Sequence, residues 1–345
     1  MFIHRYRDLD PIIRTECISS LGLYFKKYPS HFLNNSYLRY VGWVLSDSAT
    51  SVRLAAVKSL GIVYTLSSSS GEAEHALTSL NHFTERFKPR LLDMAEGDTD
   101  ISVRVGVLSV LVEIDRAGLL EEEERERLGA LVYCEDAKVR KGVGPFVKGV
   151  WDEWCEERMN ELGDSATKGK GKTKKKGDSD RDRIGIKGLA ALLVKWGDAL
   201  DKILGDDEES EDGSDEDASK KARRLAAFVA PTESRIALAI DALWDRVEPA
   251  SNWEDVLDVL LLDHSAVGEE GLSPSRSRRG KGTPNGKKDD DEEDDDSEST
   301  QVDDTWRLEE VEEGVLLEVL VASVRRATKE APLTAKKVCL FVSHN

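Results

Sequence analysis

Apolar positions recur at helical spacing along the first half of the chain, and the pattern itself repeats. A Val/Ile–Arg pair occurs at Ile13-Arg14, Val52-Arg53, Val103-Arg104 and Val139-Arg140. Small or apolar residues follow each pair at four, five and eight positions: Cys17/Ile18/Leu21, Ala56/Val57/Leu60, Val107/Leu108/Leu111 and Val143/Gly144/Val147. Offsets of 0, 4 and 8 mark one stripe of an α-helix. Aspartate stands three residues before the first, third and fourth pairs (Asp10, Asp100, Asp136) and five before the second (Asp47). An Asp there can cap a helix and complement its dipole. The Arg beside the stripe can pair with an acid of a neighbouring repeat. Successive starts lie 39, 51 and 36 residues apart, near the roughly 40–47 residues of two-helix HEAT-type repeats. One such unit cannot bury its apolar face alone, so several must stack. The predicted fold is all-α, a HEAT-like α-helical solenoid with disordered charged insertions.

Beyond residue 160 the texture changes. The pattern predicts repeats over 1–160, a basic Gly/Lys-rich linker over 161–184 and a helix over 185–204. It then predicts an acidic disordered run over 205–218 and further solenoid helices over 219–263. A disordered acidic stretch follows over 264–304, a helix over 305–330 and an irregular tail over 331–345. Met1 falls close to the first repeat helix with no polar capping repeat before it, as expected of a segment of a longer solenoid.

Charge sharpens this division. The formal net charge is −18, but residues 206–217 and 289–298 each hold nine acidic side chains. Residues 1–95 carry eleven Lys/Arg against eight Asp/Glu, so the start of the chain is mildly basic. No apolar run approaches the ~20 residues of a membrane helix, and the N-terminus lacks a signal-peptide pattern. Cys17, Cys134, Cys155 and Cys339 show no metal-ligand spacing, and a reducing intracellular compartment fits them. No cofactor or metal is expected. The chain has no Gly-rich phosphate loop, no His-Glu-x-x-His and no Gly-x-Ser-x-Gly, and its six histidines are scattered, which argues against an enzyme.

Two segments carry candidate binding chemistry. In residues 30–47, Ser36 is a plausible N-cap. On the helix that follows, Tyr37, Leu38, Val41, Val44 and Leu45 share an apolar face. Arg39 and Trp43, four apart, fall almost opposite that face. An exposed Trp beside an Arg has the composition of a binding hot spot, with cation–π attraction added, although packing against a neighbouring repeat would also place a Trp there. In residues 76–95, Leu80, Phe83, Phe87, Leu91 and Met94 form a core-like stripe. Arg86 and Arg90, with Lys88 nearby, form a basic ledge suited to an acidic or aromatic peptide, or else a solvated helix face. Pro89 should kink or restart that helix. Arg5, Arg7, Lys26, Lys27 and Arg39 are candidate phosphate contacts for duplex DNA without sequence specificity.

The runs FIHRYRDLDPIIRTECI, FLNNSYLRYVGWVLSD with SVRLAAVKSL, and FTERFKPRLLDM resemble the stromalin conserved domain, over about residues 2–95. That domain is the signature of the stromalin-type subunit of cohesin. The resemblance implies a curved HEAT-like solenoid that binds the kleisin subunit, contacts DNA and works in the nucleus, on chromatin, in sister-chromatid cohesion and loop organisation. It also implies a surface groove for aromatic-acidic peptide motifs of cohesin regulators. The matching positions are Trp43, Phe83, Arg86 and Phe87, with Tyr40 alongside. Asn35 stands where the family commonly has Asp, which removes a charge from the groove rim, and the Ser-rich loop 66–74 is longer than usual. The rival readings are a generic HEAT protein-binding scaffold and an acidic histone-binding protein.

Overall fold

A computed structural model describes residues 2–69, 74–166, 176–205, 234–262, 264 and 306–330. All regular structure among them is helical. The helices are α1 (Phe2–Arg5), α2 (Pro11–Lys27), α3 (Pro29–Phe32), α4 (Asn35–Val44), α5 (Thr50–Ser69), α6 (Glu74–Gly97) and α7 (Ile101–Arg116). After them come α8 (Glu122–Ala130), a 3-10 turn (Leu131–Tyr133), α9 (Ala137–Ala166) and α10 (Lys176–Gly205). The last are α11 (Arg235–Leu243), α12 (Glu248–Ser251), α13 (Trp253–Leu260) and α14 (Glu310–Glu330).

Their packing is that of a two-layer solenoid. The helices that carry the Val/Ile–Arg pairs form one row, which α11 continues: α2 packs on α5, α5 on α7, α7 on α9 and α9 on α11. The helices between them form the second row, in which α4 packs on α6, α6 on α8, α8 on α10 and α10 on α14. The predicted stripes face the seam. Ile18, Leu21, Ala56, Val57, Leu60, Val107, Leu108, Leu111, Val143 and Val147 are all buried in one continuous core. Glycines permit the closest approaches. A Cβ at Gly129 would lie 2.1 Å from Nε1 of Trp196, so the bare backbone of α8 is what admits the fully buried Trp196 of α10.

The expected aspartate caps are present. The Asp10 carboxylate accepts from the Ile12 N–H at 2.8 Å, Asp100 from Ser102 and Val103, and Asp136 from Lys138 and Val139. The predicted inter-repeat pairing is also present, through a second set of aspartates. Arg14 donates to Asp47 through Nε and Nη2, both at 2.7 Å, and to the backbone oxygens of Asp8 and Leu9. Arg53 repeats this one unit further along. It donates to Asp98 at 2.8 and 2.9 Å and to the backbone oxygens of Asp47 and Ser48. Asp8, Asp47 and Asp98 each stand five residues before a Val/Ile–Arg pair. Each arginine thus fastens the turn before its own helix and the turn of the next repeat. Donating these hydrogen bonds to Asp47 raises the pKa of the Arg14 guanidinium.

At the third rung the matching position, five before Val139, is Cys134. Arg104 donates to the Ala95 backbone oxygen at 2.9 Å, and its Nη2 reaches the Cys134 sulfur at 3.4 Å, where the first two rungs have a carboxylate. Both side chains are buried. The cost of burying the guanidinium is already present, so Cys134→Asp should complete the ladder and stabilise the array. Charge-assisted hydrogen bonds contribute up to about 3 kcal/mol. Urea denaturation should show a later midpoint for Cys134→Asp and an earlier one for Cys134→Ala.

Several expected boundaries shift. The cap of α4 is Asn34, whose side chain accepts from the Ser36 N–H at 2.9 Å, so Ser36 lies inside the helix. Pro89 does not restart α6, which is continuous from Glu74 to Gly97. The stretch expected as a linker over 161–184 is helical at both ends, in α9 to Ala166 and in α10 from Lys176. Its middle, 167–175, lies outside the described residues, as do the acidic runs, residues 219–233, almost all of 264–304, and the tail 331–345. His264 ties α13 to the approach of α14. Its Nδ1 accepts from the Leu308 N–H at 3.3 Å, and its Nε2 lies 2.9 Å from the Val259 backbone oxygen, where it donates.

Candidate peptide-binding site

The site begins with the register of α4. Leu38, Val41, Val44 and Leu45 are buried and Tyr37 is half-buried, as the apolar face requires. Trp43 stays 39% exposed. Its indole is held by aromatic rings. Tyr6, in the turn after α1, stacks on it at 5.7 Å with 28° between planes, and Tyr40 meets it edge-on at 5.6 Å. Tyr6 and Tyr40 touch each other at 4.9 Å.

Two guanidinium groups lie over this cluster. Arg39 is 5.6 Å from the Trp43 ring centroid and 5.2 Å from that of Tyr40. Arg7 is 5.8 Å from Trp43 and 4.9 Å from Tyr6. Beside Trp43 a notch of about 430 Å³ is lined by Tyr6, Arg7, Asp8, Leu9, Arg14 and Trp43, among others. Its acidic groups are already engaged, Asp8 by Arg5 at 2.7 Å and Asp47 by Arg14. The hydrogen bond from Arg5 holds the Asp8 carboxyl below the ordinary carboxylate range. Arg7 is an exposed cation at the mouth, and Leu9, 98% exposed, adds an apolar lip.

The sequence-predicted residues fall into two groups. Phe87 of α6 lies against α4. A Cβ at Gly42 would sit 2.3 Å from its Cζ, so the glycine before Trp43 is what lets the two helices meet there. Arg86 is exposed and lies 5.5 Å over the Phe87 ring. Thus Phe87 and Arg86 lie at the α4–α6 contact, while the cations over the Trp43 indole are Arg39 and Arg7. Phe83 is 2% exposed and packs on Phe87 at 4.7 Å, so it supports the face from below and does not line it. Tyr40 is likewise buried, because its ring is the inner wall of the Tyr6–Trp43 cluster. The expected basic ledge reduces to Arg86. Lys88 is buried, bonded to the Leu119 backbone oxygen and Glu124, and Arg90 turns inward to the Leu45 backbone oxygen at 3.2 Å.

Of the expected phosphate contacts, Arg5 is neutralised by Asp8. Lys26 and Lys27 are exposed in the last turn of α2, where cations offset the negative end of the helix dipole. Arg7 and Arg39 belong to the aromatic cluster. The sequence pattern passed over Tyr6 and Leu9 altogether and read Arg7 only as a DNA contact. Among the described residues no group of three His, Cys, Asp or Glu could hold a metal ion, and no helix is long and apolar enough to cross a membrane. The Cys155 thiol is pushed up to about 12 by burial, which makes it a poor nucleophile.

Fold and site together define a helical-repeat scaffold with an aromatic–cationic notch on its surface. Residues 7–88 match the model of the stromalin conservative domain, the interval that contains Arg7, Trp43 and Arg86. The chain is 37% identical over 164 residues to the cohesin subunit psc3 of Schizosaccharomyces pombe, across 48% of this chain and 16% of that protein. It is 33% identical over 167 residues to the sister-chromatid cohesion protein 3 of Arabidopsis thaliana, across 48% of this chain and 14% of that one. Among solved structures it resembles the cohesin subunit Scc3 of Z. rouxii, with a TM-score of 0.40 and 22% identity, over 75% of this chain and 34% of that one. Residues 7–88 are thus similar to the stromalin conservative domain, and the matched part of the chain spans about one-sixth or less of these two curated relatives' length.

Proposed function

We propose that this chain is a non-catalytic scaffold segment of a cohesin complex, and that the Trp43 notch docks short aromatic-acidic peptide motifs of cohesin regulators. The observation that carries the reading is the partly exposed indole of Trp43, held between rings and overlaid by Arg7 and Arg39. An aromatic side chain of the peptide stacks beside Trp43, and flanking carboxylates meet Arg7, Arg39 and Arg86. The same scaffold binds the kleisin subunit, and its basic N-terminal surface approaches DNA through phosphates alone. Its setting is nuclear chromatin. The family match over 7–88 and the names of the relatives support this assignment.

Co-purification tests it. The full chain should retain a purified kleisin segment and should not retain histone octamers. Retention of histones alone, abolished by deleting 206–217 and 289–298, would replace this reading with that of an acidic histone-binding protein.

A further inference from the structure

Helix α14 is apolar on two sides. Its inner side packs on α10, α11 and α13. Leu316, Val319, Ala322 and Ser323 are buried there, and the Ser323 hydroxyl donates to the Ala250 backbone oxygen at 2.8 Å. A second stripe runs along the outer side through Gly314, Leu317, Val321, Val324 and Thr328, all of them exposed. We propose that this stripe pairs with the same stripe of a second copy of the chain, the two α14 helices running antiparallel. The proposal goes beyond the peptide-docking reading and does not depend on it.

Three features support it. The first is spacing. The five positions follow one another at three, four, three and four residues, the seam of a two-helix coiled coil. A helix that covers a core on one side needs only one apolar stripe, and here the inner one already serves. Leu317 and Val321 on the outer stripe are 55% and 48% exposed. A Cβ at Gly314 would meet nothing within 4 Å, so the backbone there is open to a close neighbour.

The second is charge. Between Val311 and Thr328 the exposed charged residues are Glu318 and Arg325, one of each sign. They flank the stripe on the same side, seven residues apart. Glu318 accepts one hydrogen bond from the Ser234 hydroxyl. Among the described residues, no ion pair is formed by Arg325. In an antiparallel pair, Glu318 of each copy meets Arg325 of the other, and two ion pairs close. A parallel pair sets Glu313 against Glu318 of the other copy, two like charges. Flanking charges of this kind choose both partner and orientation, and this pattern is complementary to itself.

The third is extent. The stripe covers residues 314–328, about 22 Å of helix. That is short beside the interface of an obligate dimer, so the pairing is reversible and depends on concentration.

The test is sedimentation velocity of the full-length chain over about 1–100 µM, where wild type should pass from monomer to dimer. Leu317→Glu/Val321→Glu should raise the dissociation constant about tenfold or more, with the monomer's melting unchanged because both side chains are exposed. Arg325→Glu should also weaken the dimer, since it sets a carboxylate against Glu318. Glu318→Arg/Arg325→Glu should restore it, and Trp43→Ala should dimerise as wild type does. A wild type that stays monomeric would overturn the proposal. If Leu317→Glu/Val321→Glu then melted lower, the chain's own residues would cover the stripe; if it melted unchanged, the face would be left to another protein. A dimer indifferent to the two glutamates, or one that the charge exchange fails to restore, would overturn the proposal as well.

Discussion

Arg53→Leu should be among the most damaging single changes in the first repeats, at about 3–5 kcal/mol, the cost of removing one partner from a buried ion pair. The Arg53 and Asp98 side chains are 8% and 3% exposed, and the pair is bidentate. The guanidinium also satisfies the backbone oxygens of Asp47 and Ser48 and reaches the Thr99 hydroxyl at 3.1 Å. Its loss leaves a carboxylate in the seam between α5 and α7 with no cation beside it. Thermal melting followed by far-UV circular dichroism should show a large fall for Arg53→Leu. A smaller fall is expected for Arg14→Leu, whose pair is 13% and 11% exposed and therefore better screened. The double variant Arg53→Leu/Asp98→Leu should recover part of the loss, since it removes the stranded charge along with its partner. Equal melting of wild type and Arg53→Leu would refute this account of the ladder.

The ladder marks how far the sequence could be read. Periodicity reports which residues of one helix share a face, and the stripes beginning at Val52, Val103 and Val139 matched the buried seam, as did Cys17, Ile18 and Leu21 of the first, whose leading Ile13 is exposed at the start of α2. The capping aspartates three residues before the pairs were legible for the same local reason. The pairing aspartates were visible too. Asp8, Asp47 and Asp98 share one offset, but an aspartate just before a helix reads equally well as a cap. Partners across repeats are set by stacking and leave no trace within one helix.

The same limit explains the site. Offset alone placed Trp43 off its own core face, and the structure leaves it partly exposed. Tyr6 comes from 37 residues upstream and is brought beside Trp43 by the turn between α1 and α2. Arg86, Lys88 and Arg90 looked equivalent as basic residues near one flank. Burial separated them, because α8 covers Lys88 and the end of α4 draws Arg90 inward. Composition misled most in the Gly/Lys-rich stretch, where α10 already begins at Lys176.

Trp43→Ala should weaken binding of an aromatic-acidic peptide by roughly 30- to 1000-fold, the equivalent of the 2–4 kcal/mol of an interface hot spot. The argument rests on preorganisation. The indole is fixed in the free protein by Tyr6 and Tyr40, so a peptide ring gains stacking area with little ordering cost. Arg7 and Arg39 already lie over the rings and meet peptide carboxylates where water is partly excluded. Removing the indole also removes Tyr6's stacking partner, and ring pairs contribute about 0.5–1.5 kcal/mol, so melting should drop slightly. Trp43→Phe should retain part of the affinity. Arg7→Ala/Arg39→Ala should lose affinity mainly at low salt, since exposed charges are screened within about 8 Å at physiological ionic strength. Isothermal titration of the full chain with a peptide of one Phe flanked by Asp and Glu separates these contributions. If Trp43→Ala melted far below wild type, its indole would be a structural pillar. If it bound the peptide undiminished, the notch would have no part in docking, and the arginines would be paired with their rings for packing alone.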